Sequence, residues 1–201
     1  MAATSPTRPG LRERKKIRTR QAIQRAAYRL FAEQGYEATR VDEIADAAEV
    51  SPSTVFRYFP TKEDIVLSDE DDPLVEAALR ARPAAEPPLI AVREAIRDVF
   101  RHINDSPEAM AEVRQRMHLV ASVPAIRSRI HDSMALSGRM LATVLAERTG
   151  RAPEDLELRV LVAAILAGAR EAALYWIEND ADGALTAYID RAFDIIDGAL
   201  E

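Results

Sequence analysis

The chain of 201 residues is 48% hydrophobic and 30% charged and carries no cysteine, a composition that suits a packed core and excludes disorder, disulfides and thiolate metal sites. Its net charge of −6 is unevenly placed: residues 1–62 hold 12 Lys/Arg against 7 Asp/Glu, net +5, whereas residues 63–201 hold 15 against 26, net −11. A basic head on an acidic body points the head, and not the body, at a polyanion. The N-terminus, "MAATSPTRPGLRERKK", is polar and basic, and the longest apolar run, "VLVAAILAGA" at 160–169, is about half the length of a bilayer span. Both predict a cytoplasmic protein with no membrane partner.

Alternating β-branched runs of useful length do not occur, so the chain reads as all-α. A first helix is predicted from about Leu11 to Gln34, with Ile17, Ala22, Ile23, Ala26, Ala27, Leu30 and Phe31 as its apolar stripe and Gly35 as its stop. A short second helix follows from about Val41 to Ala48. Ser51 then reads as an N-cap with Pro52 at the first helical position, and Pro60 ends this third helix at Phe59. Thr61 caps a fourth, with Asp64 completing an imperfect capping box. Further helices are predicted from Asp72 to Ala81, Leu89 to Asn104, Pro107 to Ser122, Pro124 to Arg148, Pro153 to Asn179 and Asp182 to Ala199. The proline-rich 83–88 segment reads as a linker or loop.

The segment "TRVDEIADAAEVSPSTVFRYF" is two short helices joined tightly at Glu49–Ser51, with Ala45, Ala47 and Ala48 allowing close approach. In a helix-turn-helix the second helix lies in the major groove with its early residues at base edges. That role accounts for the polar Ser51, Ser53 and Thr54. Val55, Phe56 and Phe59 are expected to anchor the helix, leaving Arg57 and Tyr58 outward. The basic run from Arg8 to Arg20, Lys16 included, suits the phosphate backbone. Lys62 is a further phosphate candidate, at the start of the fourth helix. The candidate DNA contacts are Lys16, Thr39, Arg40, Ser51, Ser53, Thr54, Arg57, Tyr58 and Lys62.

On "ATRVDEIADAAEVSPSTVFRYFPTKEDIV", preceded by "AAYRLFAEQGYEAT", the chain resembles the DNA-binding head of the TetR family of transcriptional regulators over roughly residues 14–67. That family usually has Tyr where this chain has Phe56, and often Tyr or His in place of Arg57. The resemblance implies a homodimer on a palindromic operator, a C-terminal ligand domain, and repression relieved by a small molecule. Regulators of this kind that activate, or that act without a ligand, share the same sequence features. The implied organisation is a flexible basic arm at 1–10, a three-helix helix-turn-helix domain at 11–62, and a helical ligand-binding and dimerisation bundle at 63–201. A second resemblance, carried by "VFRYFPTKEDIVLSDEDDPLVEAALRARP", is to the actinobacterial subgroup that includes the mycofactocin-cluster regulator. It implies an apolar or acyl-CoA-like effector.

In the body, "LRVLVAAILAGAREAALYWI" is apolar nearly all round, which predicts burial on two sides. Ala163, Ala164, Ala167 and Gly168 would allow a symmetry mate to approach, and the last helix, with Phe193, would supply the second element of the dimer interface. Phe100, Met117, His118, Arg170 and Trp176 are the candidate ligand-pocket residues, a mixture of apolar and a few polar groups. His102, His118 and His131 have no partner pattern, and neither GxSxG nor a glycine-rich phosphate loop occurs. No enzyme activity, cofactor or metal is therefore expected.

Overall fold

A computed structural model of the chain describes residues 11–68, 72–104 and 106–199; the side chains of 11–13 and 102–104 fall outside that description. The expected arm at 1–10 and the side chain of His102 thus lie outside the described residues. Every described element is a helix, as the all-α reading expects. The chain divides into two compact units, Met1–Val66 and Leu67–Glu201.

The first unit contains α1 (Leu11–Gln34), α2 (Val41–Ala47), α3 (Pro52–Tyr58) and most of α4 (Lys62–Leu67). Its core is drawn from all four: Ile23, Ala27 and Phe31 from α1, Ile44 and Ala45 from α2, Val55 from α3 and Ile65 from α4. Ile17 of the predicted stripe stays exposed, while Tyr28 joins the buried face. Gln24, also buried, donates from Nε2 to the Ile65 carbonyl at 3.2 Å, so the polar group inside this small core is satisfied. Thr61 and Asp64 form the anticipated reciprocal cap of α4: Thr61 N donates to Asp64 Oδ2 at 2.9 Å and Asp64 N to Thr61 Oγ1 at 3.3 Å.

The second unit holds α5 (Asp72–Ala81), α6 (Pro88–Asn104), α7 (Pro107–Ser122), α8 (Pro124–Thr149), α9 (Leu156–Glu178) and α10 (Leu185–Gly198). α9 is central, packing against α7, α8 and α10. Its Leu158, Val162, Ile165, Ala172, Ala173 and Trp176 are buried among Leu79, Val92, Leu145 and Phe193. Arg93 and Arg97 of α6 both reach Asp190 of α10, at 3.1 and 2.7 Å. The proline-rich segment is not a free linker. Arg148 donates to the carbonyls of Leu79 (3.2 Å), Arg82 (3.0 Å) and Pro83 (2.7 Å), pinning the turn to the end of α8.

Two helix starts differ from expectation. α9 begins at Leu156 rather than Pro153 because Asp155 is its cap, accepting from Glu157 N (2.9 Å) and Leu158 N (3.3 Å). α10 begins at Leu185 rather than Asp182 because Asp180, Ala181 and Gly183 all adopt positive φ and reverse the chain there. The Gly183 carbonyl accepts from Trp176 Nε1 at 3.1 Å, which fixes that reversal on the core. The ten-residue apolar run also understated α9: by length and composition the 23-residue helix is apolar enough to cross a membrane. Only 22% of its most apolar stretch is buried.

Candidate nucleic-acid interface and ligand cavity

α2 and α3 are joined by a turn that the backbone closes by itself. Val50 N donates to the Ala45 carbonyl at 2.9 Å and Glu49 N to the Asp46 carbonyl at 3.1 Å, the paired bonds of a Schellman motif. Glu49 occupies the left-handed position at φ +55, where glycine is the usual residue. α3 then starts on Ser51, whose Oγ accepts from Thr54 N at 3.2 Å and lies 2.9 Å from both Ser53 Oγ and Thr54 Oγ1. Pro52 takes the first helical position.

Two side chains fasten α3 from below. Val55 is 1% exposed and Phe59, just past the helix, is fully buried. The Arg20 guanidinium of α1 lies 4.6 Å from the centre of the Phe59 ring, adding a cation–π contact. Above this anchor, Ser53, Phe56 and Arg57 are exposed, and Thr54 and Tyr58 are half-buried. Arg57 lies 5.5 Å from the Tyr58 ring centre. At the start of α2, Arg40 is exposed beside Asp42 at 3.3 Å, while its backbone N–H is held by Glu43 at 2.8 Å.

Within the second unit, α5 to α10 enclose a largely apolar cavity of about 230 Å³. Phe100 of α6, Met117 of α7, Met134 and Met140 of α8 and Leu166 of α9 line it. Its polar groups are few. Ser137 Oγ donates to Asp72 Oδ2 at 2.6 Å, and Ser133 Oγ to the Leu67 carbonyl at 2.8 Å. Arg116 and Arg170 also face the cavity. Arg170 Nε is buried with no hydrogen-bond partner, and its nearest carboxylate, on Glu171, is 3.9 Å from Nη2. A larger groove of about 770 Å³ opens between α8 and α9, lined by His131, Arg139, Arg159 and Ala163 among others.

Residues 23–68 match the bacterial regulatory proteins of the tetR family, and residues 86–201 match the MftR C-terminal domain. The chain belongs to the TetR family of transcriptional regulators. Among its relatives, the HTH-type transcriptional regulator TcmR of Streptomyces glaucescens is 38% identical over 95% of this chain and 88% of that protein. The putative mycofactocin biosynthesis transcriptional regulator MftR of Mycobacterium tuberculosis is 27% identical over 94% of each. The fold is shared with Thermus thermophilus FadR, a TetR-family repressor crystallised with lauroyl-CoA, at a TM-score of 0.55, 24% identity and coverage of 88% of this chain and 92% of that one.

A TetR-family chain is a DNA-binding transcriptional regulator, and among the anticipated contact residues of its head Arg40, Ser53 and Arg57 are exposed and Thr54 and Tyr58 half-buried. Three do not fit the roles expected of them. The Thr39 side chain is buried: Oγ1 donates to the Gly35 carbonyl at 2.7 Å and accepts from Gln34 Nε2 at 3.3 Å, closing the loop after α1. Lys62 is turned inward, donating to the carbonyls of Tyr36 (2.8 Å) and Thr39 (3.1 Å) with its ammonium 4.2 Å from the Tyr36 ring centre. It clamps the end of the α1–α2 loop rather than presenting a charge to phosphate. Ser51 spends its hydroxyl on the helix cap. Phe56, expected beneath α3, is 49% exposed, because in a helix anchored through Val55 and Phe59 position 56 points away from the core.

In the TetR-type body, Phe100, Met117 and Arg170 do line the cavity. His118 does not: it is exposed on α7, and Ser122 Oγ donates to its backbone carbonyl. Trp176 is fully buried in the core, with its indole N–H committed to Gly183. The interface residues divide as well. Ala163 and Ala167 are exposed and Ala164 is half-buried. Phe193 is 1% exposed inside its own protomer and is not available to a mate. Gly168 serves the α9–α10 contact within the chain, since a Cβ there would meet Ile196 Cδ1 at 2.9 Å. Arg116, Asp72, Ser133 and Ser137 were missed. The signals for them were slight: Ser133 and Ser137 are four apart, on one helical face, beside Met134 and Met140, and three of the chain's five methionines end up in the cavity wall.

Proposed function

We propose that the chain is a homodimeric cytoplasmic repressor, held on a palindromic operator by two copies of α3 and released by an apolar small molecule with an anionic end. The observation that carries the ligand half is Arg170. A guanidinium whose Nε is buried without a partner, beside an apolar chamber, is an unsatisfied donor that a ligand acceptor would offset. The lauroyl-CoA held by the Thermus repressor supports an acyl chain bearing an anionic end as the first class to try.

For DNA, Ser53, Arg57 and Tyr58 face the groove and the flanking phosphates, while Arg40 and Lys16 meet the backbone. For the dimer, α9 leaves Leu156 (74% exposed), Val160 (58%) and Tyr175 (54%) in one stripe with Ala163 and Ala167, and α10 adds Ile195 (66%). An apolar stripe of that length, left uncovered in the protomer, is what a twofold mate would cover. The groove between α8 and α9 shares Arg159 and Ala163 with this neighbourhood and is open rather than enclosed, so the smaller apolar cavity is the effector site. Twofold pairing also sets two recognition helices on half-sites about 34 Å, or a multiple of that, apart.

The test is a thermal-shift and operator-release series with lauroyl-CoA, laurate and dodecanol, on the wild type and on Arg170→Leu. The anionic amphiphiles should raise Tm and free a selected operator, with dodecanol much weaker and the shift lost in the variant. No stabilisation by any of the three at high excess would overturn the effector reading.

A further inference from the structure

We infer that Phe56 is a sequence-reading residue of α3: its phenyl ring packs on the C5-methyl group of one thymine in each operator half-site. The inference rests on α3 lying in the major groove, as proposed above, and names what this chain's recognition helix selects there.

Three observations converge on this. First, Phe56 is not needed to hold the helix. Val55 and Phe59 supply the buried anchor, and Phe56 leaves about half of its surface in water. Second, it stands on the outer face with Ser53 three residues before it and Arg57 beside it, both exposed. That is the face whose position in the groove the family's architecture requires. Third, the hydroxyls that would ordinarily read base edges from this helix are engaged with one another. Ser51 Oγ caps Thr54 N and lies 2.9 Å from the hydroxyls of Ser53 and Thr54. Phe56 and Arg57 are exposed on the same helix and take no part in that cluster.

A phenyl ring has no donor or acceptor to offer a base edge. Against adenine, guanine or cytosine it would cover hydrogen-bonding groups without replacing their water, at a cost. The thymine methyl is the one apolar feature the four bases present in the major groove, and contact with it is favourable. The ring therefore discriminates by chemistry: thymine is accepted, and cytosine, with an amino group at C4 and no methyl, is penalised. A tyrosine at this position would keep the ring and add a phosphate-reaching hydroxyl; phenylalanine keeps the apolar contact alone.

The experiment uses the full-length chain and an operator selected by it from a random duplex pool. Each thymine of the selected half-site is replaced in turn by uracil, which removes the C5-methyl and leaves base pairing intact, and affinity is read by fluorescence anisotropy at fixed salt. At one thymine per half-site the wild type should lose on the order of fourfold per half-site, the worth of burying one methyl group. Phe56→Ala should bind more weakly overall and be indifferent to that same replacement, and Phe56→Tyr should keep the sensitivity. A matching far-ultraviolet spectrum and melting point show that the surface variants are folded. A selected half-site without thymine, a wild type insensitive to every uracil replacement, or a sensitivity equal in Phe56→Ala and wild type overturns the inference while leaving the groove reading intact. Failure of the wild type to retain any DNA at low ionic strength overturns both.

Discussion

The two helices on which the proposed function depends, α3 and α9, are built on opposite plans. α3 has seven residues and little burial of its own; a Schellman turn before it, a serine cap and the pair Val55 and Phe59 hold it in place. α9 has 23 residues and more apolar surface than its own core consumes. A helix too short to be stable alone must be fixed at its ends and underneath, and that frees its outer face for recognition. A helix with surplus apolar surface has that surplus as its message. Reading the first kind means asking what its polar and exposed residues are for. Reading the second means asking what is left uncovered.

That contrast can be broken most severely by emptying each core. Phe59→Ala and Trp176→Ala should each cost about 3–5 kcal/mol, because both side chains are fully buried. Phe59→Ala is expected to abolish DNA binding while the ligand-induced thermal shift survives, whereas Trp176→Ala should abolish both, because the proposed pairing through α9 is lost with its core. Denaturant unfolding followed alongside DNA binding checks both, and loss of the thermal shift in Phe59→Ala as well would show that the two units do not fold separately. Next in size is Val160→Asp. A charge placed on the uncovered stripe of α9 should weaken self-association by about 100-fold, as an unpaired buried charge would. Sedimentation equilibrium reads this directly, and an unchanged mass at low concentration would remove α9 from the interface.

Smaller effects sharpen the account of α3. Ser51→Ala removes the cap and should cost about 1 kcal/mol of head stability. Glu49→Gly, at the left-handed residue of the turn, should move in the opposite direction by about 1 kcal/mol. If both variants lowered the head's melting temperature, the turn would not be the strained element described. The smallest expected effect concerns α9 and pH. The Leu158 N–H, then the Glu157 N–H and Arg151, hold the Asp155 carboxyl below its ordinary value. A carboxyl shifted downward in the folded state stabilises at pH above the usual carboxylate range and loses that contribution as pH falls through the lowered value. Asp155→Asn keeps a capping side chain without the titration, so it should flatten the acid limb of the stability profile by lowering stability slightly at neutral pH, where the carboxylate contributes, and leaving it unchanged at low pH.

Much of the fold is written in local punctuation. Pro107 after Ser106, Pro124, Gly35 and Gly150 mark helix ends by the geometry they permit, and the observed ends agree with them. The start of α9 is not legible in this way, because Pro153 has the form of an opening residue while the capping hydrogen bonds belong to Asp155. Side-chain roles were legible only where the constraint is local. The phase of a seven-residue helix decides whether Phe56 or Phe59 turns inward, and two aromatics three apart do not reveal it. Lys62 looked like a phosphate ligand because its carbonyl partners, Tyr36 and Thr39, are 26 and 23 positions away in the chain. For α9 the difficulty is of another kind: when nearly every side chain is apolar, sequence cannot say which of Gly168, Ala163 or Trp176 meets α10, the solvent-facing side or the core.

The hold of Arg148 on the turn after α5 carries a consequence for how this chain can change over time. Segments rich in proline ordinarily tolerate insertions and deletions, but here one guanidinium gathers four carbonyls, those of Leu79, Arg82, Pro83 and Glu86, whose spacing is set by the reach of a single side chain. Lengthening the turn by even one residue would carry these carbonyls out of reach of the guanidinium, although those of Leu79 and Pro83 also accept from the Arg82 and Glu86 N–H groups. Apart from Arg82 and Glu86, whose side chains pair across it, residue identities within it can drift while the number of residues cannot.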